Sequence, residues 1–572
     1  MDDFFPIWKS IKLFFEKDTT TYTSEVSVEN CFMVNVHFDA AETSASFCNH
    51  DGSIAVMAGN PLLAEQENSN RDIQLGILHQ QLTGGIYDAA RASNGMYCAA
   101  GYDRRTNTFY LVVDKFGLRP LYYMQYGDII IFSSLQRLFE ELDELPLVMS
   151  VRGVSEQIAF GAPLSDRTPY ANLRCLHAAG IVRFSGKTVH RQTYWIFEHE
   201  LPDIKFSLPR CVEDLHDLFL EAVRIRLVEQ ETVVRAFLSS GLDSRCVIGG
   251  LLECGVRPVT YNFSAEKTYD QLISREFAAY LGLEHHAVTI NDERKFSEHA
   301  LWLNNYYPYQ EINIQEIPRP QTVWTGDGGS VGAGYVYLTE DMVRLLRAGK
   351  DREAVRLFID FTGSDLAARM LKIFSGISAG EFLIASVMDE LKRIDCEDPG
   401  RKLFFFLMRN DQRRHFAVYH LERIDTSRVE FIAPFFDPKF LCYFSSLPVD
   451  TCLKHAMYMQ WMNCFRPSLT DIAWQAYPGH VPCPLPMPSD GRYQWANDKR
   501  HADRYAMYLL KRIDEEIQRD LFPSPLVSKN ISSVMKFLTR FHVRGYEYAL
   551  QQLLSYNKYW KICQGVYEND IQ

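Results

Sequence analysis

The run Phe237-Leu238-Ser239-Ser240-Gly241-Leu242-Asp243-Ser244-Arg245 has residue types and spacing that can do chemistry. Val233-Val234-Arg235-Ala236 before it reads as a buried strand. Cys246-Val247-Ile248-Gly249-Gly250-Leu251-Leu252 after it reads as the start of a packed helix. A strand, a turn of small hydroxyl-bearing residues and a helix together make an anion pocket. Backbone amides and the helix N-terminus face the ligand, and small side chains let a phosphate come close. Leu238, Ser239, Ser240, Gly241, Leu242, Asp243 and Ser244 are the candidate residues, and Asp243 suits a magnesium ion held between protein and phosphates. The competing explanation is an ordinary strand-to-helix turn with a serine cap.

A second segment, Thr325-Gly326-Asp327-Gly328-Gly329-Ser330-Val331-Gly332-Ala333-Gly334-Tyr335, places five glycines within residues 326–334. Neither helix nor strand propensity explains them, whereas close backbone approach to a ligand does, the competing explanation being a flexible surface loop. Asp327 is a candidate carboxylate for a metal or an amine.

The elements around these segments fall into two patterns. The first ~200 residues are strand-like. Cys31–Phe38 alternates in part, and Phe109–Asp114 and Asp128–Ser133 are short apolar runs separated by turn chemistry such as Asp103-Arg104-Arg105-Thr106-Asn107. This predicts an α+β layered antiparallel domain over residues 1–207. From residue 208 the pattern changes to helix over Val212–Glu229 and then the strand and turn of the first motif. A second strand follows at Pro258–Phe263, a helix at Ser274–Leu281 and a third strand at His286–Ile290. Alternating strands and helices imply a parallel sheet with ligands beyond the carboxyl ends of its strands. Residues 208–572 are thus expected to form an α/β domain whose last ~220 residues are mostly helical.

Bulk composition narrows the classes. The chain has 572 residues, 47% hydrophobic and 23% charged, as in ordinary globular proteins. A net charge of −12 disfavours a nucleic-acid partner. Thirteen cysteines without C-x-x-C pairs, and an acidic Met1-Asp2-Asp3 opening, predict free thiols in a reducing cytoplasm. No stretch of 18 apolar residues occurs, so no membrane span is expected.

Several segments together resemble the asparagine synthetase family. Residues 239–244 look like its S-G-G-L-D-S pyrophosphatase loop, which resembles those of adenine nucleotide α-hydrolase-like folds. Asp114-Lys115-Phe116-Gly117-Leu118-Arg119-Pro120-Leu121-Tyr122-Tyr123 looks like the D-x-x-G-x-x-P-L-Y-Y turn of class II glutamine amidotransferase domains. The stretch from Thr260 to His286 is similar to the adenine-side strand and the A-x-x-L-G-x-x-H-H run. It implies Phe263 and Leu238 near the adenine, although strand packing explains both equally well. His285 and His286 read as a helix C-terminal cap. Residues 325–335 resemble G-[ED]-G-[SG]-D-E-x-x-x-G-Y, implying that Gly326, Gly328, Gly329 and Ser330 hold pyrophosphate. Glu430–Asp437 is similar to E-x-R-x-P-F-L-D, a helix-to-turn segment.

The resemblance implies an ATP- and magnesium-dependent ligase that adenylates a carboxylate, with AMP and pyrophosphate released, for attack by an amine. Asp243 and Asp327 are then the candidate catalytic residues and Asp243 the metal ligand. Four departures qualify it. Position 2 is Asp2, where the family's glutaminase has a cysteine whose amine is the base, and the first cysteine is Cys31. This predicts no glutaminase activity and an N-terminal domain that is structural or binds a substrate. Ser330 and Val331 replace two acids, and Ile432 replaces an arginine. Gln475 and Tyr477 stand where an arginine and a lysine are expected, leaving Arg245 or Lys499 as replacement cations. Family members without the cysteine include lasso-peptide macrolactam synthetases, acting on a precursor peptide, and β-lactam synthetases. Ammonia as the amine, and a degenerate homologue that binds only a nucleotide or partner, stay open. Aromatic residues Trp495, Tyr505, Tyr508, Tyr546 and Tyr548 read as helix core and surface or as a cleft lining.

Overall fold

The computed structural model describes residues 4–16, 22–28, 31–37, 44–63, 70–186, 188–228, 233–289, 321–363, 378–413, 420–422, 424, 429–493, 499–518, 527–541 and 546–570. Helix α1 (Phe4–Glu16) precedes a hairpin, β1 (Tyr22–Val28) and β2 (Cys31–His37). Next come β3 (Ser44–Cys48), β4 (Ile54–Gly59), α2 (Arg71–Gly84), β5 (Tyr97–Asp103) and β6 (Thr108–Val113). Then follow β7 (Tyr122–Tyr126), β8 (Ile129–Ser133), β9 (Met149–Ser150), β10 (Arg174–Cys175), β11 (Gly180–Ser185) and β12 (Thr188–Thr193). One antiparallel sheet has the order β12-β11-β6-β5-β4-β3, and a smaller one β10-β7-β8.

Period-two alternation explains the layering. Ala55, Met57, Tyr97, Ala99, Tyr110, Val112 and Ile181 face Leu75, Leu78 and Leu82 of α2. Their neighbours Ile54, Val56, Cys98, Ala100, Leu111, Val113 and Val182 pack on the other face with Leu121 and Tyr123. The expected layered antiparallel architecture is therefore present.

The helix expected over Val212–Glu229 is α3 (Leu208–Arg224). Its buried stripe of Cys211, Leu215, Phe219, Ala222 and Val223 follows helical spacing, with a proline in the first turn. Beyond it lie β13 (Arg235–Phe237), α4 (Leu242–Glu253), β14 (Val259–Ser264), α5 (Tyr269–Tyr280), β15 (His285–Thr289), β16 (Gln321–Trp324) and β17 (Val429–Ile432). They form a parallel sheet of order β15-β14-β13-β16-β17.

Two expectations are corrected here. His285 and His286 belong to β15 and do not cap a helix. Gly282, at φ 62°, ends the preceding turn, and the chain enters the strand within two residues. Glu430–Ile432 lies in a strand followed by a 3-10 turn at Pro434–Phe436, where a helix-to-turn segment was expected. Cross-strand bonding at the sheet edge decides this: Thr325 donates its amide to Ile432 O at 2.9 Å.

One hydrophobic core runs from Ala45 and α2 through Phe116 and Phe197 into Phe219, Trp324, Phe404 and Trp461, so the N-terminal sheets and the parallel sheet share it. The C-terminal helices, Lys499–Gln518, Lys529–Arg540 and Tyr546–Ile562, turn back onto the N-terminal half. Leu509, Ile513, Leu550 and Tyr556 pack with Tyr122, Met124 and Ile131, and β18 (Tyr567–Glu568) pairs with β9. The last stretch of chain therefore shares a core with residues on the far side of the expected 207/208 boundary. Tyr508 packs against that core. Trp495 and the side chains of Tyr505, Tyr546 and Tyr548 lie outside the described residues. Among the described residues no helix is long and apolar enough to cross a membrane.

Candidate functional site

Strand β13 ends at Phe237, and the turn 238–241 delivers the chain into α4 at the carboxyl edge of the sheet. Leu238 is core, buried and bonded by its amide to Tyr261 O at 2.8 Å. The turn is braced from within. Ser239 donates its amide to Ser244 Oγ, and Gly241 donates its amide to Ser239 Oγ, both at 3.1 Å. Ser240, itself buried, donates its amide to Asp270 Oδ1 at 2.7 Å, and Asn262 Nδ2 donates to Asp270 Oδ2 at 2.9 Å. Gly241, the N-cap of α4, has no side chain to bond the first-turn amides, and Leu242 packs into the core beneath them.

The glycine loop seats directly on this turn. Ser330 donates both its amide (2.9 Å) and its hydroxyl (2.7 Å) to Asp243 Oδ2, and Tyr458 Oη donates to Asp243 Oδ1 at 2.8 Å. A side chain at Gly329 would put its Cβ 2.6 Å from Asp243 Cγ. These glycines therefore admit the neighbouring loop, a partner that local sequence does not reveal. Burial lifts the Asp243 carboxyl to about 6 in spite of its three donors. Gly326 and Gly328 lie in the same loop, where a Cβ would meet Ser244 N and the Phe436 ring respectively.

A cluster of rings closes the far side. His455 Nε2 lies 3.4 Å from Ser330 Oγ, and its Nδ1 lies 2.7 Å from Nδ1 of His480. Tyr477 stacks on His455 with ring centroids 5.7 Å apart. The imidazole fits only because residue 334 is glycine: a Cβ there would be 2.2 Å from His455 Nε2. Burial drives the His455 pKa down to about 3, so this ring is neutral.

Of the residues singled out by sequence, Ser239–Ser244, Gly326, Gly328, Gly329 and Ser330 are brought together. Phe263 sits in β14, edge-on to Phe237 at 5.8 Å. Asp327 Oδ2 accepts from Thr325 Oγ1 at 2.7 Å and lies 2.8 Å from His420 Nε2. The segment containing Gln475 and Tyr477 does reach the loop, with the Gln475 amide on Ser240 O at 3.1 Å. Arg245 is not a phosphate-facing cation. It is fully buried, donating to the carbonyls of Leu469 (2.9 Å) and Ile472 (2.7 Å) over the face of Phe277. The Lys499 side chain lies outside the described residues. Tyr458, His455, His480, Asp270 and His420 escaped the sequence reading; only Asp270 carried a local signal, as an acid opening a helix beside a strand end.

The donor set suits a phosphate at the uncapped start of α4. It does not suit a magnesium ion held between the loops. Asp243 Oδ2 already accepts two protein donors, and the opposing residue is a neutral serine. Among the described residues no group of three acids, histidines or cysteines could hold a metal.

Both halves of the chain are similar to known proteins. Residues 67–195 match the glutamine amidotransferase domain family, and residues 214–304 match the asparagine synthase family. A protein of Methanocaldococcus jannaschii provisionally named glutamine-hydrolysing asparagine synthetase 2 is 27% identical over 279 residues, 44% of this chain and 51% of that protein. Asparagine synthetase 3 of Bacillus subtilis is 27% identical over 158 residues, covering 27% of this chain and 25% of its own. The Gallus gallus asparagine synthetase is 26% identical over 225 residues, 38% and 39%. The chain thus spans about half, or less, of the curated relatives it matches. Residues 67–195 and 214–304 thus resemble, in the same order, an amidotransferase domain followed by an asparagine synthase domain, and the similar proteins are asparagine synthetases.

Proposed function

We propose that this chain is an ATP-dependent amide-forming ligase that activates a carboxylate as its acyl-adenylate, releasing AMP and pyrophosphate, and joins it to an amine. The observation that carries the reading is the uncapped N-terminus of α4, with its turn braced from within and the glycine loop seated against it. An amide-lined anion site of this kind can take a triphosphate, and enclosing the acyl group beside the amine supplies rate by proximity. Ser239, Gly241 and Ser244 bind phosphate, and Gly326, Gly328, Gly329 and Ser330 flank the leaving pyrophosphate. Asp327 and its neighbour His420 accept the proton released by the amine.

The amine comes from the substrate or from ammonia, with no glutaminase step. Two features support this. Cys31 sits inside a hairpin strand, paired with Val28, and burial pushes its thiol up to about 12, far from a nucleophilic thiolate. The cysteine-less arrangement favours an amine already on the substrate, as in macrolactam formation on a precursor peptide.

One observation favours a second reading, a nucleotide- or partner-binding homologue without catalysis: the Asp243 carboxylate is already filled by Ser330 and Tyr458. Calorimetry with Mg-ATP, wild type against Asp243→Asn, separates the two. Micromolar binding by the wild type followed by pyrophosphate release with candidate acids supports the ligase, and binding in either protein without pyrophosphate release supports the second reading. Absence of binding in both proteins refutes it.

A further inference from the structure

The turn after β6 carries a buried cation that the ligase reading does not use. Asp114 fixes this turn by accepting the amides of Phe116 (3.1 Å), Leu118 (3.1 Å) and Arg119 (3.0 Å). Lys115 therefore cannot swing out to solvent with the loop, and it is only 8% exposed. Its ammonium lies 5.4 Å from the centre of the Trp195 ring and makes no hydrogen bond or ion pair among the described residues. Cys442, Asp437 and Glu200 are near enough to favour its charge, but among the described residues no carboxylate oxygen comes within 4.0 Å. Asp437 is already committed to Arg226 at 3.0 Å. Burial brings the Lys115 pKa down to about 8.

Lys115 lines a cavity of about 270 Å³ at the seam between the N-terminal sheets and the helices that follow the parallel sheet. The other charges of its wall are spoken for. Arg393 donates to Ser165 Oγ at 2.8 Å, and Arg409 pairs with Glu198. Glu390 lies 3.5 Å from both Arg167 and Arg393. The His177 Nδ1 is 3.0 Å from Ala178 O and its Nε2 3.4 Å from Thr193 Oγ1. Among the described residues Lys115 is left as a wall cation that makes no hydrogen bond and no ion pair within 4.0 Å. The remaining wall is aromatic: Trp195 stacks on Phe197 at 5.5 Å and meets Phe116 edge-on at 5.4 Å.

We propose that this cavity is a binding site for a small organic acid, with its carboxylate on Lys115 and a flat apolar body against Trp195. A cation held in a largely buried position without an ion pair gains from an incoming carboxylate, which supplies the partner. The cavity lies near the lower end of the ~300–1,000 Å³ common for ligand pockets, which selects a small molecule. One cation without an ion pair, in a wall that also carries Glu390, selects a single negative charge over a phosphate dianion. This inference is independent of the ligase reading, because it assigns no role to the nucleotide loops.

The test is calorimetric titration of the full chain with benzoate and with benzamide, its neutral isostere. Benzoate is expected to bind at least about tenfold more tightly, as a charge-assisted hydrogen bond predicts. Lys115→Met should erase that preference, and Lys115→Arg should keep it. Equal affinity for the two probes, no benzoate binding at millimolar concentration, or undiminished preference in Lys115→Met would each overturn the proposal. The comparison of the two probes on the native chain decides the matter even if a variant fails to fold.

Discussion

Replacing Asp243 by asparagine should change the stability of the fold more favourably at neutral pH than in mild acid, although it removes a residue of the candidate site. Burial raises the native carboxyl from 3.8 to about 6. A carboxyl whose folded pKa lies above its unfolded value binds its proton more tightly in the folded state. Stability is therefore full below the unfolded pKa and falls as pH rises through the folded one. With an unfolded value of about 3.9, linkage puts the loss at about 1.5 kcal/mol at about pH 5 and about 2.8 kcal/mol at about pH 7.5. Asparagine does not titrate. Whatever its amide loses against Ser330 and Tyr458 is the same at both pH values and cancels on subtraction. The stability of the variant minus that of the parent should thus grow by about 1.4 kcal/mol between about pH 5 and about pH 7.5. Urea unfolding followed by tryptophan emission measures it, since Trp324 and Trp461 are buried in the core beneath the loops. A pH-independent difference refutes the burial argument. A difference that shrinks with rising pH refutes it more strongly, because only a bound cation or a better set of donors would hold Asp243 below its unfolded pKa.

Arg119 and Glu430 form an ion pair across the seam, with side chains 8% and 9% exposed. Arg119→Met alone should cost about 3–5 kcal/mol by stranding a buried carboxylate, while Arg119→Met with Glu430→Met should recover most of it; a double-mutant cycle in urea reads the coupling. Gly329→Ala places a methyl 2.6 Å from Asp243 Cγ. It should cost about 1–3 kcal/mol by overpacking and abolish Mg-ATP binding, as thermal melts with and without nucleotide would show. Cys31→Ser should leave ligase activity unchanged, and neither form should release glutamate from glutamine; glutamate formed by the wild type and lost in the variant would restore a glutaminase role.

The first loop was legible because its determinants are contiguous: a strand, small residues and a helix within Val233–Leu252 specify the turn without help from elsewhere. The glycine loop was legible as a place of close approach, but its neighbour is Asp243, 86 residues earlier than Gly329, and glycine spacing carries no information about what approaches. Arg245 shows the same limit from the other side. A cation beside a phosphate loop invites an electrostatic reading, yet its guanidinium is consumed by carbonyls at 469–473 that only the tertiary fold brings near. The helix-cap reading of His285 and His286 failed, although a strand from His286 was expected, because helix α5 and strand β15 are separated by only Leu281–Glu284, too short a stretch for periodicity to resolve. Tyr458 and His455 had no local signal at all. They enter the site through two consecutive left-handed residues, Lys454 at φ 58° and His455 at φ 63°, a conformation that non-glycine residues hold only when surrounding contacts fix it.

The N-terminal, amidotransferase-like domain has a physical task at the seam. The turn fixed by Asp114 presents Phe116 to Phe436 and Arg119 to Glu430, while Arg226 at the end of α3 ties Asp437 to the Asn94 carbonyl. Glu430 lies on β17, which pairs residue for residue with β16 from Gln321↔Val429 to Trp324↔Ile432. Strand β16 runs directly into Thr325 and the glycine loop, so the N-terminal domain fixes the edge strand that aims the loop at Asp243. Ion pairs buried this well contribute more to geometry than to stability, since apolar pairs of the same volume would hold the seam at least as firmly. Their placement on the strand leading to the loop makes positioning the consistent account. The same placement explains why the core continues unbroken across the two halves: a loop that must stay within hydrogen-bond distance of Asp243 cannot be carried by a domain free to rock on a linker.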